Sequence, residues 1–306
     1  MFLTPFADTP FAAEGKELAA MLKRKAADEE IQPVIDRIHS AALDQALDPL
    51  VTSTDVYVTA VCWVGSKSLS HVLACIERTK DRLLDAGAAS EAARAQIITA
   101  VMAYWSAHPG IAVSIVEKLL NYSIITPGAV IDWALVGDRA SLINGSSGAS
   151  GRRGSSLAKA WVFELILNTV AKVTGRLRQL VATGEGAETQ EDEVAAMREL
   201  FRAMEDALVS WAQGTKDQLM DTSADADADA AAKEGGGDQE DLVRRWGQRW
   251  LRVFRRRSAI EEAFLVEQKA RAEASAAAAT AAAAEETEVA PPAEDAVDVD
   301  VDAVAE

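Results

Sequence analysis

Ser66, Lys67, Ser68, Ser70 and His71 crowd into one short stretch of this 306-residue chain. A serine nucleophile served by a histidine base is the chemistry such residues could supply. Their setting argues against it. The serines follow an apolar run and stand where a new helix must begin, and hydroxyls at a helix start accept hydrogen bonds from backbone N–H groups that have no partner inside the helix. No acid lies nearby in sequence to orient His71, and no strand-to-helix elbow precedes the serines. Gly65-Ser66-Lys67-Ser68 also lacks the upstream glycine and the strand of a phosphate-binding loop. Capping is the expected role of this corner. With no paired acid, base and nucleophile elsewhere, no enzyme is expected.

Cys62, His71 and Cys75 match no zinc spacing, although His71 and Cys75 share a helix face four residues apart. A zinc site would need two more ligands, and His39 and His108 fall in separate turns. No metal and no cofactor are therefore expected. The two cysteines read as small buried hydrophobes that need no oxidising compartment.

Trp63, Trp105, Trp133, Trp161 and Trp211 sit on apolar faces at helical spacing, which makes them core residues before base-stacking platforms. Trp246 and Trp250 differ. They lie in RRWGQRWLRVFRRR, residues 244–257, which carries seven arginines (Arg244, Arg245, Arg249, Arg252, Arg255, Arg256 and Arg257) and no acid. Interleaved arginine and aromatic residues can grip a phosphate chain, stack on bases or dock an acidic partner surface. An equal alternative is an amphipathic helix with Trp246, Trp250, Val253 and Phe254 packed on the domain and its arginines in solvent. The sequence leaves both open.

The elements that carry these residues follow from apolar periodicity and from stop and start residues. Leu18, Met21 and Leu22 mark a helix over 14–27. Asp28 is expected to cap the next one, with Glu29 and Glu30 in its first turn and Ile31, Val34, Ile35 and Ile38 on its apolar face. Pro33 should kink that helix or delay its start. From Thr54 the chain is almost continuously apolar through Val64; length and helical neighbours favour a helix buried on most sides over a strand. Ser68 or Ser66 then caps a helix through Leu69, Val72, Leu73, Ile76, Leu83 and Leu84. Ser90 opens a helix that stops at His108-Pro109-Gly110, Ile111–Tyr122 forms another, and Thr126-Pro127 starts a third. Ser156 is expected to cap a long helix from Trp161 to Leu180, and the capping box Thr189-x-x-Asp192 the next. A last helix is expected from about Asp241 through Leu265 and along the alanine-rich stretch toward Ala284.

About nine helices with no convincing strand, mostly in antiparallel pairs, imply an all-α fold: a right-handed α-solenoid of helical hairpins. The domain organisation reads as an N-terminal extension over 1–13 and a helical-repeat domain over 14–213 with a flexible insertion at 144–156. An acidic low-complexity linker over 214–241, a basic amphipathic helix over 242–270 and an alanine-rich, acidic, disordered tail over 271–306 follow.

The formal charge of -17 belongs mostly to two of those segments. Eight acids and one lysine lie between Asp221 and Asp241, nine acids and no base between Glu285 and Glu306, and the remainder is close to neutral. The N-terminus lacks the basic and apolar regions of a signal peptide, and no run approaches the length of a membrane span. A soluble intracellular protein with no membrane partner is expected.

Several of these blocks carry a resemblance. Asp55-Val56-Tyr57-Val58-Thr59 followed by Gly65-Ser66-Lys67-Ser68-Leu69-Ser70-His71 resembles the corresponding corner of the large subunit of the nuclear cap-binding complex. Met102, Tyr104, Trp105, His108 and Pro109, the segment Ile115–Leu120, the segment Ala129–Ala134, and Trp161–Ile166 before Thr169-Val170 fit the same pattern in order and spacing. The resemblance covers about residues 11–257 and concerns the C-terminal third of that subunit alone, so a fragment, a truncated gene model or an isolated domain is expected; the tail has a fungal look. It implies the third helical-repeat domain of a non-catalytic scaffold, similar to the middle domain of initiation factor 4G. The implied partners are a small subunit with an RNA-recognition motif whose aromatic residues hold the 7-methylguanosine cap, capped RNA through that subunit, and mRNA processing and export factors. The implied setting is the nucleus, with shuttling to the cytoplasm and roles in splicing, export and nonsense-mediated decay. The alternative function is a general helical adaptor, or an RNA-binding translation factor of the initiation-factor-4G type, on the strength of residues 244–257.

Overall fold

A computed structural model of the chain describes residues 11–136, 155–184, 186–213 and 233–288. Among the described residues there are eleven α-helices and no strand, and the architecture is an all-α helical repeat. The expected insertion at 144–156 falls outside the described residues except at its last two positions, and so do 1–10 of the N-terminal extension, 214–232 of the acidic linker and 289–306 of the tail. The chain divides into a first compact unit ending at Arg256 and a second beginning at Arg257.

The first unit opens with α1 (Ala12–Arg24) and α2 (Asp28–Asp44), which pack on each other and on α3 (Pro49–Val64). The next helix contacts differ from a simple hairpin series. α3 also meets α4 (Leu69–Arg78) and makes its most extensive contact with α6 (Glu91–Tyr104), while α5 (Lys80–Ala89) lies against α6. α3 is therefore enclosed by α1, α2, α4 and α6. That enclosure explains why a segment rich in β-branched residues is helical: Val56, Tyr57, Val58, Ala60, Val61 and Cys62 are all buried, on more than one face, and packing outweighs intrinsic propensity.

From α6 the chain passes to α7 (Pro109–Asn121) and α8 (Pro127–Ile131), the latter running into a π-helical turn over Asp132–Val136. A 3₁₀ turn at Ser155–Ala158 leads into α9 (Ala160–Thr183), which packs on α7 and α8, and α10 (Ala187–Gln213) packs on α9 and α8. Each helix thus buries its apolar stripe on near neighbours, as stacked hairpins must. Two tryptophans, Trp133 buried and Trp211 half-buried, tie the layers through their indole N–H groups. Trp133 Nε1 donates to Thr99 Oγ1 at 3.0 Å, and Trp211 Nε1 donates to the Leu135 carbonyl at 2.9 Å.

Several boundaries differ from the sequence expectations, for local reasons. Ala27, in extended backbone, precedes α2, so Asp28 is its first helical residue and not its cap; Pro33 lies inside the helix without delaying its start. α3 begins earlier than Thr54, at an Asp48 cap whose side chain accepts from Val51 N at 3.0 Å, with Pro49 in the first turn, where no intrahelical N–H is needed. The expected single helix over 69–84 breaks at Thr79, whose hydroxyl donates to the Cys75 carbonyl at 3.0 Å. α9 has Lys159, not Ser156, before its first residue, and α10 starts at Ala187, which places Thr189 within the helix.

The last helix, α11 (Lys233–Glu288), is longer than expected at both ends. Its residues to Arg256 belong to the first unit and the rest to the second, where Lys269 with Glu273 and Arg271 with Glu267 form exposed pairs one turn apart.

Candidate interaction surface

The serine–histidine corner is a cap. Ser68 Oγ accepts from His71 N at 3.3 Å and shares a 2.7 Å hydrogen bond with His71 Nδ1, so the first turn of α4 uses both side chains. Ser68, not Ser66, is the capping residue, and Lys67 is exposed. Gly65 closes the corner from the other side: a Cβ placed there would lie 2.4 Å from Val72 Cα, so only glycine lets the end of α3 touch α4. Thiol chemistry is suppressed as well. Cys62 is fully buried, and burial pushes its thiol up to about 12; burial also raises Cys75, against the charge of Arg78. Among the described residues no group of three His, Cys, Asp or Glu side chains is placed to hold a metal, and no helix is long and apolar enough to cross a membrane.

Other titratable groups are set by packing. Burial raises the Asp55 carboxyl above its ordinary value, opposed by a 2.7 Å hydrogen bond from Gln96 Nε2. Burial, then the nearby charge of Glu91, raises Asp132. The Tyr57 hydroxyl is raised by burial beneath the Arg82 guanidinium, itself held by Asp28 Oδ1 and Oδ2 at 2.6 Å. Asp55 with Gln96 ties α3 to α6, and Arg82 with Asp28 ties α5 to α2.

Residues 244–257 are organised differently. Within α11, Gly247, Trp250 and Phe254 are buried at spacings of three and four, on one face of the helix. A Cβ on Gly247 would lie 2.8 Å from both Ala212 N and the Trp211 carbonyl carbon, so the glycine allows α11 to rest on α10 backbone to backbone. Trp250 packs edge-on against Phe163 with ring centroids 5.0 Å apart, and Phe254 against Phe201 at 5.4 Å. The packed amphipathic alternative is thus the observed arrangement for Trp250 and Phe254. It does not hold for all four residues: Trp246 is half-buried and Val253 is 48% exposed.

The seven arginines separate into two groups. Arg244 pairs with Asp241 at 2.5 Å, Arg255 Nε with Glu205 Oε1 at 2.9 Å, and Arg257 with Glu261 at 2.9 Å. Arg245, Arg249, Arg252 and Arg256 are exposed and have no carboxylate partner among the described residues; Arg249 lies over the Trp246 ring at 5.3 Å. At 100° per residue these four fall within an arc of about 60° and run about 16 Å along the helix, on the side away from Gly247 and Phe254. The sequence signal for this stripe was the spacing i, i+4, i+7, i+11. Counting arginines as one cluster concealed it.

The lineage of this helical-repeat unit follows from comparison with known proteins. A model of the family described as MIF4G like matches residues 6–263, most of the chain. The chain belongs to the MIF4G-like family. The family match runs from before α1 into α11 and takes in the whole arginine segment. The MIF4G-like chain is also 25% identical over 122 residues to the nuclear cap-binding protein subunit 1 of fission yeast, Schizosaccharomyces pombe. That match covers 40% of this chain and 14% of the relative, so the chain spans a small part of that protein's length.

Proposed function

We propose that this chain is a non-catalytic scaffold domain of a nuclear cap-binding complex, holding a small RNA-recognition-motif subunit in the state that binds the 7-methylguanosine cap. The family match across the repeat domain carries this reading, and the similarity to the fission yeast subunit supports it. The physical side is consistent with it. Side chains that could have served catalysis are spent on capping or packing, as at Ser68, His71 and Cys62, whereas helix faces remain for partners. A scaffold of this kind acts by binding one conformation of its partner more tightly and shifting its population. Nuclear residence, shuttling, and roles in splicing, export and nonsense-mediated decay through recruited factors belong to the same proposal.

Co-expression of this chain with its cognate small subunit, followed by affinity purification, tests it. A stoichiometric complex that survives gel filtration is expected. Failure to co-purify, where the small subunit does bind a full-length large subunit, would sink the version in which this domain suffices.

A further inference from the structure

We propose that the outer face of α11 between Leu242 and Arg256 is a docking site for an acidic amphipathic helix of a partner protein. The proposal does not rest on the cap-binding reading. It rests on three observations. The four arginines without carboxylate partners among the described residues, Arg245, Arg249, Arg252 and Arg256, form one line, while Arg244 and Arg255 lie off that line and are neutralised by Asp241 and Glu205. Beside the line runs an apolar edge: Leu242 is 51% exposed, Val253 48% exposed, and Trp246 between them is half-buried. The opposite face is packed at Gly247, Trp250 and Phe254, so the stripe faces away from the domain.

Leu242, Trp246, Arg249, Val253 and Arg256 recur at spacings of four and three, which is the periodicity by which one helix receives another. A helix with one apolar row and an adjacent row of Glu or Asp would cover Leu242 and Val253 while its carboxylates reach the guanidiniums, whose planar forks suit paired oxygens. A single-stranded nucleic acid would satisfy the arginines but leaves the apolar edge without a role. It would also want an aromatic stacking platform, and here Trp250 is buried and Trp246 lies under Arg249.

The test uses the full chain, a synthetic peptide with Glu and Leu in adjacent helical rows, the same composition scrambled, and a single-stranded oligouridylate. Fluorescence anisotropy is expected to show saturable binding of the patterned peptide at least about tenfold tighter than the scramble. The variant R245Q/R249Q/R252Q/R256Q should weaken it about tenfold or more, and L242S/V253S, which alters only exposed side chains, should weaken it several-fold. Far-UV circular dichroism confirms that both variants remain folded. Equal binding of patterned and scrambled peptides would overturn the proposal. So would an unchanged affinity in L242S/V253S. Preferential binding of the oligouridylate, with a salt slope near about -2.8 for four phosphate contacts, would also overturn it and assign the stripe to RNA.

Discussion

The α3–α4 corner and the α11 face are built alike up to a point. Each has a glycine that lets two helices touch, Gly65 against Val72 and Gly247 against the backbone of Trp211 and Ala212, and each gathers polar side chains next to that contact. At the corner the polar groups turn onto their own helix: Ser68 accepts from His71 N and bonds to its ring. On α11 three arginines find carboxylates nearby and four remain exposed in a line. Residue type therefore says less about a site than whether local structure has already used the residue. The corner looks more like chemistry in the sequence, yet α11 keeps its chemistry available.

Substitutions can break or sharpen that contrast. Trp250→Ala should have the largest effect on stability, about 3–5 kcal/mol, because it empties a buried aromatic site against Phe163. Urea denaturation followed by circular dichroism would measure it, and a loss under about 1 kcal/mol would mean that α11 is not anchored there. Gly65→Ala is next, at about 1–3 kcal/mol, since its Cβ must displace Val72 backbone. Ser68→Ala should cost about 1 kcal/mol as a lost cap; a cost near zero would return the corner to consideration as a functional cluster.

Smaller effects follow. Burial holds the Asp55 carboxyl above its ordinary value. Its contribution to stability is then fully present below the unfolded pKa and is lost as pH rises through the folded one, so at neutral pH the charge is a cost. Asp55→Asn, which keeps an oxygen for Gln96, is expected to raise the melting temperature at about pH 7 and to leave it unchanged at about pH 3, below the ordinary carboxylate range. A lower melting temperature at neutral pH would show that Gln96 favours the charged form more than burial opposes it. The smallest change in stability, within about 0.5 kcal/mol, is expected for R245Q/R249Q/R252Q/R256Q, since none of the four has a carboxylate partner among the described residues.

The sequence revealed the fold class and much of the element order because apolar periodicity and Ser or Thr starts are local signals. Ser90 accepts from Ala93 N at 3.0 Å and Thr126 from Ala129 N at 3.2 Å, as their positions suggested. Asp48-Pro49 was an equally local cap signal that the apolar run after Thr54 overshadowed. The break at Thr79 was not legible: its periodicity continues across the join, and the interruption is set by a hydroxyl bonding back to Cys75. Nor was the division of the arginines. Arg255 meets Glu205 from a different helix, fifty positions away, and only tertiary packing could make that pairing. Val253 failed for the converse reason, since its place on the wheel is apolar but no neighbouring helix covers it enough to bury it.

The central claim is that this domain acts by holding a small cap-binding subunit in its cap-competent state. Titration of the cognate small subunit with a fluorescent 7-methylguanosine cap analogue, with and without a saturating amount of this chain, tests that most directly. Cap affinity at least about tenfold tighter in the presence of the chain is predicted, corresponding to a shift of about 1.4 kcal/mol toward the competent state. Identical titration curves would contradict it.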